Sequence, residues 1–455
     1  MKPSVKKTPP KAGSGQTHAK AGLASRQAAA KILAAVIDRK VSLDGMLDQE
    51  NGNPAYRALN DADKALVRAA LNSALRHLPR IDAIFAELLK SPLPEGARAL
   101  QMVLYVAAAQ ILYLDIPDHS AVDLAVEQAN LDPRNRRFAG LVNAVLRRLG
   151  REKEELLAKV SQLPSLPQWF FERLVEVYGA ETASEIAEAQ LSPAAVDLTV
   201  KSDPEGWAQR LGGKVLPTGS VRLSRYQGAI PDLDGYTDGA WWVQDAAASI
   251  PAQLFGDIAG SHVVDLCAAP GGKTAQLIAR GASVTALDQS ANRLKRLGSN
   301  LARLGMEAVL VEANAASFKP DALFDAALLD APCSSTGTVR RHPDVPWTKT
   351  MADVEKLARV QEGLLLNALD VVRPGGFVIF SNCSLDPLEG EFMVRRVLKK
   401  RADARLVAID QAVLPGLSEA FTADGEIRTT PAMLRDESAS ASGMDGFYAA
   451  KLQRI

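Results

Sequence analysis

Residues 264–274 read Val-Asp-Leu-Cys-Ala-Ala-Pro-Gly-Gly-Lys-Thr. An aliphatic run that meets a glycine pair and then a helical pattern is typical of the first strand-to-helix turn of a Rossmann-like sheet. Glycine lets the backbone approach a ligand closely, and the N-terminus of the following helix offers free N–H groups. The stretch therefore predicts a ligand-binding turn at the edge of a parallel sheet.

The chain after this turn alternates between strand and helix patterns. Aliphatic runs predict strands at residues 262–267, 283–288, 308–312, 324–330 and 377–382. Helical spacing of apolar residues separates them, which indicates a doubly wound parallel sheet with helices on both faces. A late run at residues 446–452 is the candidate for a final edge strand.

Two nucleotide-binding motifs are incomplete in this region. A P-loop requires a glycine five positions before its final glycine, and that position holds Cys267. The dinucleotide fingerprint G-x-G-x-x-G is absent as well. Asp288 ends the second predicted strand, where it can accept hydrogen bonds from ribose hydroxyls, so S-adenosylmethionine fits better than NAD. The alternative for Asp288 is a cap on the helix that starts near Ser290.

Two further strand ends carry Cys-Ser pairs. The fourth predicted strand runs into Asp-Ala-Pro-Cys-Ser at residues 330–334, and the fifth ends in Ser-Asn-Cys-Ser at residues 381–384. Ligands of open α/β sheets bind at the carboxyl ends of the strands, so we expect both cysteines to face the crevice of the glycine turn. Either cysteine alone is equally well explained as a small buried hydrophobe, but their joint placement favours function.

The N-terminal third is helical and basic. A tail rich in Lys and Pro, residues 1–21, is expected to be disordered, and helical periodicity predicts an all-α domain over residues 22–155. Residues 1–153 contain 23 Lys and Arg against 15 Asp and Glu, although the whole chain has a net charge of zero. A polyanion would bind first to this basic third, unless the excess belongs to the tail and to a solvated helix face.

Composition and breaks in periodicity complete the outline. Leu-Pro pairs mark a junction, so residues 156–240 are expected to form a linker helix and a small α+β subdomain, and residues 241–455 the Rossmann-like domain. Three cysteines without C-x-x-C spacing predict neither a disulfide framework nor a metal site. With no apolar stretch of membrane length and no secretory signal, we expect a cytoplasmic protein.

These motifs together resemble the Sun/Fmu family of bacterial rRNA cytosine-C5 methyltransferases. The resemblance is carried by the turn at residues 265–274 and by the two Cys-Ser strand ends. Gln244-Asp245, Trp347 and the Arg-Arg-His-Pro-Asp stretch at residues 340–344 fall where that family has similar residues. The helical region is similar to a NusB-type RNA-binding domain. The resemblance covers residues 22–453 and is weakest over 195–234.

The resemblance implies a role for each site residue. Cys383 would add to C6 of cytosine, because C5 alone is too weak a nucleophile to take a methyl group. Cys333 would assist elimination of the product, and Asp330 would hydrogen-bond N3 and the exocyclic amine. S-adenosylmethionine would be held by Cys267, Ala268, Ala269, Pro270, Gly271, Gly272, Lys273, Asp288, Asn314 and Asp330. Asn314 stands where the family usually has Asp, so a lower cofactor affinity is expected.

The implied substrate is a cytosine of ribosomal RNA, most naturally free 16S rRNA, with the target base unpaired or flipped out. We expect a monomer that needs no metal and no membrane. The alternatives are a catalytically inactive RNA-binding or assembly factor, an enzyme acting on another RNA such as tRNA, and a DNA methyltransferase, whose nucleophile would follow the fourth strand. His342 would contact phosphate or simply occupy a loop, and Lys273 would approach cofactor or substrate.

Overall fold

The computed structural model describes residues 20–223 and 228–455. Most of the predicted disordered tail, residues 1–19, lies outside the described residues. The chain divides into two compact units. The first comprises residues up to 34, 44–74 and 84–159, and the second comprises residues 35–43, 75–83 and 160–455.

The N-terminal region is helical, as predicted. Its helices are α1 Leu23–Arg39, α2 Leu43–Met46, α3 Pro54–Arg57, α4 Asp61–Arg76, α5 Leu78–Leu88, α6 Arg98–Tyr113, α7 Asp118–Leu131, α8 Ala139–Arg151 and α9 Lys153–Val160. Every side chain of α6 from Met102 to Leu112 is buried, as expected for a helix that is apolar on all faces. Its buried Gln110 accepts a hydrogen bond from Arg26 and donates one to the carbonyl of Val106. None of the helices in the described part of the chain is both long and apolar enough to cross a membrane.

A small α+β subdomain follows two linking helices. The elements are α10 Gln168–Tyr178, α11 Ala180–Ala189, β1 Val196–Val200, α12 Pro204–Leu211, β2 Gly213–Val215, β3 Val221–Leu223 and β4 Trp241–Val243. The strands form an antiparallel sheet in the order β2-β3-β1-β4, so the last strand lies beyond the expected boundary at residue 240. A fully buried bidentate ion pair between Arg222 and Asp197 joins β3 to β1, with N–O distances of 2.7 and 2.8 Å.

The remaining residues form the predicted Rossmann-like sheet. Its strands are β5 His262–Leu266, β6 Ser283–Asp288, β7 Val309–Glu312, β8 Phe324–Asp330, β9 Val372–Asn382, β10 Ala404–Val407, β11 Ile427–Thr429 and β12 Phe447–Arg454. The helices are α13 Gly272–Ala279, α14 Ala291–Arg303, α15 Val345–Thr348, α16 Met351–Asp370 and α17 Glu391–Lys400. The order is β10-β12-β9-β8-β5-β6-β7, with parallel pairing from β9 to β7.

One strand prediction is wrong in position. The run at residues 446–452 forms most of β12, which is not at the edge but lies antiparallel between β9 and β10. Its side chains alternate between the cores on the two faces of the sheet. Phe447 and Ala449 belong to one core, and Tyr448 and Ala450 belong to the other. The edge strand on that side is β10, which is only four residues long and follows a run of charged residues, so its pattern does not predict a strand.

Both faces of the sheet carry a hydrophobic core, because side chains alternate along each strand. Val263 and Leu328 belong to one core, whereas their chain neighbours Val264 and Leu329 belong to the other. β5, β8 and β9 lie side by side, and their last residues are paired, so the three strands end at the same edge of the sheet.

Gly337, in the loop after β8, is hydrogen-bonded both to the end of β9 and to Gly446, the residue before β12. The Gly337 N–H donates to the carbonyl of Cys383 at 2.9 Å, and the Gly446 N–H donates to the carbonyl of Gly337 at 2.9 Å. A Cβ on Gly337 would lie 2.0 Å from the carbonyl oxygen of Gly446. Only glycine therefore fits at position 337 without a backbone shift.

We expect Gly337→Ala to lower the free energy of unfolding by about 1–3 kcal/mol, because the new methyl group meets backbone that cannot rotate away. Urea unfolding followed by circular dichroism measures the change. Gly363→Ala in α16 is the matched control, since a Cβ there meets nothing within 4 Å and should stabilise the helix by about 0.5–1 kcal/mol. Equal midpoints for Gly337→Ala and the wild type would refute the steric argument.

Candidate active site

A cavity of about 370 Å³ opens along the carboxyl edge of the sheet. Its size is within the usual range of small-molecule sites. The structure brings most of the predicted site residues to its wall, namely Cys267, Ala269, Asp288, Asn314, Asp330, Cys333 and Cys383. Apolar side chains, among them Leu287, Val360 and Leu364, complete the lining.

The glycine turn shapes one end of this cavity. Cys267 has a left-handed backbone with a φ of 66°, and Gly271 has a φ of 102°, so the chain reverses sharply before α13 begins. Ala269 lines the cavity, whereas Ala268, Pro270, Gly271 and Gly272 build the turn without lining it. Burial and the nearby carboxylates raise the pKa of Cys267 to about 12, so this thiol stays protonated.

Asp265 lies beneath the turn and is 1% exposed. One carboxylate oxygen accepts a hydrogen bond from the Thr274 hydroxyl at 2.6 Å, while the other has no hydrogen-bond partner among the described residues. Burial raises the pKa of Asp265 to about 7, and the neighbouring carboxylates of Asp330 and Asp288 add to the shift.

Asp288 ends β6 and is also 1% exposed. Its carboxylate accepts hydrogen bonds from the Ser290 and Ala269 N–H groups and lies 3.3 Å from the Arg293 guanidinium. The N-cap of α14 is Ser290, whose hydroxyl accepts from the Arg293 N–H, so Asp288 is not that cap. A carboxylate can accept about four hydrogen bonds, which leaves Asp288 capacity for a ligand.

Asn314 lies in the loop after β7, where its side-chain oxygen accepts a hydrogen bond from the Ala316 N–H at 2.9 Å. Its amide also lines the cavity.

The two remaining cysteines are neighbours in space. The Sγ atoms of Cys333 and Cys383 are 3.4 Å apart, although the residues belong to different strand ends. The hydrogen bond with Cys383 and burial raise the pKa of Cys333 well above its usual value. Cys333 is therefore held as a thiol beside Cys383.

Asp330 is oriented by two neighbours. Lys273 Nζ contacts one carboxylate oxygen at 2.8 Å, and the Ser381 hydroxyl donates to the other at 3.1 Å. Lys273 also lies 4.9 Å from the centre of the Phe447 ring. The partner of Lys273 in the structure is Asp330, and its approach to cofactor or substrate stays a prediction. Ser381 was not predicted, although a hydroxyl in an otherwise apolar strand is a recognisable signal.

A second unpredicted group is Glu389, which is completely buried. Its carboxylate accepts hydrogen bonds from the Ser334 N–H and hydroxyl and from the side-chain amide of Gln361. Burial raises the pKa of Glu389, and these donors oppose that shift. No spacing in the sequence marks Glu389, but each Cys-Ser pair contributes its serine to the hydroxyl cluster beside it.

The Arg-Arg-His-Pro-Asp stretch lies away from the cavity wall. Arg341 pairs with Asp245 at 2.5 Å and with Asp445 at 3.1 Å. Burial and Asp245 raise the pKa of Asp445 to about 7, whereas Arg341 holds the pKa of buried Asp245 below its usual value. The backbone N–H of His342 donates to the carbonyl of Thr338. The phosphate contact of His342 stays a prediction.

No group of three or more His, Cys, Asp or Glu side chains within residues 20–223 and 228–455 is arranged to hold a metal ion.

Two known protein families match the C-terminal and the N-terminal parts of the chain. The sequence profile described as 16S rRNA methyltransferase RsmB/F matches residues 255–453, and the NusB family profile matches residues 23–151. A relative from Vibrio cholerae, ribosomal RNA small subunit methyltransferase B, is 33% identical over 414 residues, or 86% of this chain and 94% of that protein.

Solved structures show the same fold. A methyltransferase homologue from Pyrococcus horikoshii superimposes with a TM-score of 0.52 at 27% identity, covering 66% of this chain and 98% of that one. The protein PH0851 superimposes with a TM-score of 0.70 at 20% identity, covering 94% of this chain and 99% of that one.

A mixed sheet with parallel central strands, a glycine turn after β5, an acidic residue at the end of β6 and a cavity at its carboxyl edge defines a Rossmann-like methyltransferase domain, here preceded by a NusB-type helical domain. Methyltransferases of this class use S-adenosylmethionine. With a profile match over the catalytic domain and a relative at 33% identity over most of its length, the chain belongs to the RsmB/F family of rRNA methyltransferases.

The raised pKa of Asp265 predicts a pH-dependent cost in stability. The folded protein holds this proton to about pH 7, while the unfolded chain releases it near pH 4. The free energy of unfolding must therefore fall as the pH rises through that window. In Asp265→Asn this part of the fall should disappear, so that the stability lost between about pH 4 and pH 8 shrinks by about 4 kcal/mol.

Urea unfolding at a series of pH values measures the effect. Asp321→Asn, which removes an exposed carboxyl, is the control and should keep the wild-type pH dependence. Parallel curves for Asp265→Asn and the wild type would show that Asp265 is already ionised in the fold at pH 4.

Proposed function

We propose that this protein transfers a methyl group from S-adenosylmethionine to C5 of a cytosine in 16S rRNA, through a covalent bond between Cys383 and C6. The observation that carries the proposal is the pair of thiols 3.4 Å apart on the cavity wall, next to a carboxylate, Asp330. This chemistry requires one thiol nucleophile, which the second thiol and the acid can assist.

The cavity is lined by the polar and apolar groups expected for binding the cofactor. Asp288 offers carboxylate oxygens to ribose hydroxyls, and Asn314 offers its amide to the adenine ring. Leu287 and Leu364 provide apolar walls for the base. When bound, S-adenosylmethionine supplies an electrophilic methyl group.

Cys383 would act as the nucleophile. Addition of its thiolate to C6 breaks the aromatic character of the ring and moves electron density to C5, which can then take up a methyl group. Asp330, held by Lys273 and Ser381, would accept a hydrogen bond from the exocyclic amine and, when it carries a proton, would donate that proton to N3 as negative charge accumulates there.

Cys333 would assist the final elimination, in which the C5 proton is removed and the bond between C6 and sulfur breaks. The largest cause of its raised pKa is the interaction with Cys383. That interaction changes when the Cys383 sulfur becomes bonded to carbon. Cys333 should therefore lose its proton more easily at the stage at which a base is needed.

The helical domain would supply RNA affinity through α8. Val142, Val145, Leu146 and Leu149 bury one face of this helix, and Arg147 and Arg151 are exposed on the other. Arg148 is neutralised by an ion pair with Glu152 at 2.9 Å, whereas no ion pair is formed by Arg147 or Arg151 within the described part of the chain. These two arginines are the better candidates for phosphate contacts.

The first prediction from this proposal separates the two thiols. Cys383→Ala should abolish methyl transfer while binding of cofactor and RNA persists, because only the nucleophile is removed. Cys333→Ala should permit addition and methyl transfer but stall elimination, so that the protein stays joined to its RNA. A denaturing gel with radiolabelled cofactor detects this adduct as a slow band that resists heat and detergent.

The substrate panel contains 16S rRNA transcribed in vitro, tRNA and duplex DNA. The proposal requires the adduct for Cys333→Ala with 16S rRNA and its absence for the double variant. An adduct formed by Cys383→Ala alone would reverse the roles of the cysteines. Transfer of the radioactive methyl group only to tRNA or only to DNA would contradict 16S rRNA as the substrate. Transfer to none of the three would favour an RNA-binding factor without catalysis.

The second prediction concerns α8. The double variant Arg147→Ala/Arg151→Ala should bind 16S rRNA more weakly, and the slope of log affinity against log salt should fall by about two, because two phosphate contacts are lost. Filter binding at several salt concentrations measures the slope. Cofactor affinity should not change.

Arg57→Ala/Lys90→Ala is the matched control, because it removes two exposed cations elsewhere in the helical region. An unchanged slope in the α8 variant, or an equal change in the control, would exclude α8 as the RNA contact.

A further inference from the structure

Glu389 is a buried carboxyl group that the proposed reaction does not use. It lies between the two loops that carry the cysteines. Its Oε1 accepts from the Ser334 N–H at 2.9 Å and from the Gln361 side-chain amide at 2.8 Å, and its Oε2 accepts from the Ser334 hydroxyl. Ser334 directly follows Cys333, so these bonds hold the backbone beside the first thiol.

The same residue also holds the second loop. The carbonyl of Glu389 accepts a hydrogen bond from the Asn382 side chain at 2.7 Å, and the Asn382 side-chain oxygen accepts from the Ser384 N–H at 2.9 Å. Asn382 and Ser384 are the two neighbours of Cys383. The side chain of Glu389 is thus hydrogen-bonded to the loop of Cys333, and its main-chain carbonyl is hydrogen-bonded to the loop of Cys383.

Three buried hydroxyl groups join the loops beside Glu389. Ser334, Thr336 and Ser384 form a triangle with O–O distances of 3.1 to 3.3 Å. The Ser334 hydroxyl donates out of this triangle to Glu389 and can accept from Ser384 or Thr336. The Thr336 and Ser384 hydroxyls also accept from the N–H groups of Leu385 and Asp386, so Glu389 is the acceptor that orients the Ser334 hydroxyl.

We propose that Glu389 is a positioning residue, whose hydrogen bonds hold the loops of Cys333 and Cys383 so that the two sulfur atoms stay within contact distance. The catalytic part of this inference rests on the proposed function, whereas the geometric part does not. Glu389 touches neither sulfur atom in the structure and acts through Ser334, Asn382 and Ser384.

The positioning role requires the hydrogen bonds of Glu389, whereas its charge also acts on the neighbouring thiol by raising the pKa of Cys333. In Glu389→Gln the amide oxygen can accept from the Ser334 N–H and from Gln361, while the amide nitrogen donates to the Ser334 hydroxyl, which then donates to Ser384. In Glu389→Ala the buried Ser334 N–H loses its acceptor, and the loop must move to find another. The two variants therefore separate removal of the charge from removal of the hydrogen bonds.

The first test measures the thiol geometry without any substrate. Diamide, a mild oxidant, takes two electrons and two protons from the thiols as the bond between the sulfur atoms forms, and it is reduced to the hydrazine. Mass spectrometry of peptides follows the disulfide between Cys333 and Cys383 and distinguishes it from pairs with Cys267. We expect the rate to fall at least about fivefold in Glu389→Ala and to stay within about twofold in Glu389→Gln, because pairing depends on preorganised distance.

The second test measures turnover. Glu389→Ala should lower kcat at least about tenfold, with KM for RNA and for S-adenosylmethionine within about twofold, because misplaced reacting groups slow the chemical step and not binding. Glu389→Gln should restore kcat to within about threefold of the wild type. Recovery by the neutral isostere is a result that a general loss of stability does not give.

Glu426 supplies the matched control. It is another buried glutamate of the same domain, and it accepts hydrogen bonds from Arg395 and Tyr448. Glu426→Ala should lose stability in a thermal melt, yet keep the wild-type rate of disulfide formation at temperatures where it is folded. If Glu389→Ala is too unstable to assay, Ser334→Ala removes one donor to Glu389 and should slow disulfide formation in the same direction.

The outcomes distinguish the inference from the proposed function. A wild-type rate of disulfide formation in Glu389→Ala, or Glu389→Gln as impaired as Glu389→Ala, would overturn the positioning role. A slower rate together with unchanged methyl transfer would keep the geometric role and show that the reaction does not use both thiols.

Discussion

The in-register pairing of β5, β8 and β9 is the constraint on which the site depends. Leu329 pairs with Leu266 on one side and with Phe380 on the other, so the three strands end at one level. A cysteine follows within a few residues of the end of each strand, namely Cys267, Cys333 and Cys383. A shift of one strand by one residue would exchange its side chains between two differently packed cores. The packing of both cores therefore favours the register that brings the three cysteines to one cavity.

The gathering of acidic side chains at this edge has an energetic cost. Asp265, Asp288 and Asp330 lie close enough to raise the pKa of Asp265 and of Cys267. Lys273 and Arg293 offset part of the repulsion through contacts with Asp330 and Asp288. Strained electrostatics of this kind is common where a protein keeps polar groups ready for a ligand. Stability is thus given up where the site needs acceptors facing the cavity.

The sequence predicts the local parts of this arrangement well and the tertiary parts poorly. Aliphatic runs place β6 and β8 correctly, because a buried parallel strand is apolar along its whole length. The start of β9 escapes prediction, since Pro374 and Gly375 interrupt its pattern before the main apolar run. Glu389 escapes for another reason, because its partners are distant in sequence or belong to another loop. The site residues that the motifs do predict are those that end a strand.

Without a ligand, the reactive groups of the site are hydrogen-bonded to neighbouring protein side chains. Cys383 contacts Cys333, and Asp330 contacts Lys273 and Ser381, so none of these depends on water alone. On the proposed function, a cytosine that enters must replace or share these contacts. On the proposed mechanism, addition of Cys383 to C6 changes the largest of the interactions that raise the pKa of Cys333, while burial and Glu389 continue to raise it. The first chemical step would thereby make Cys333 a better base for the last one, because the two sulfur atoms are in contact.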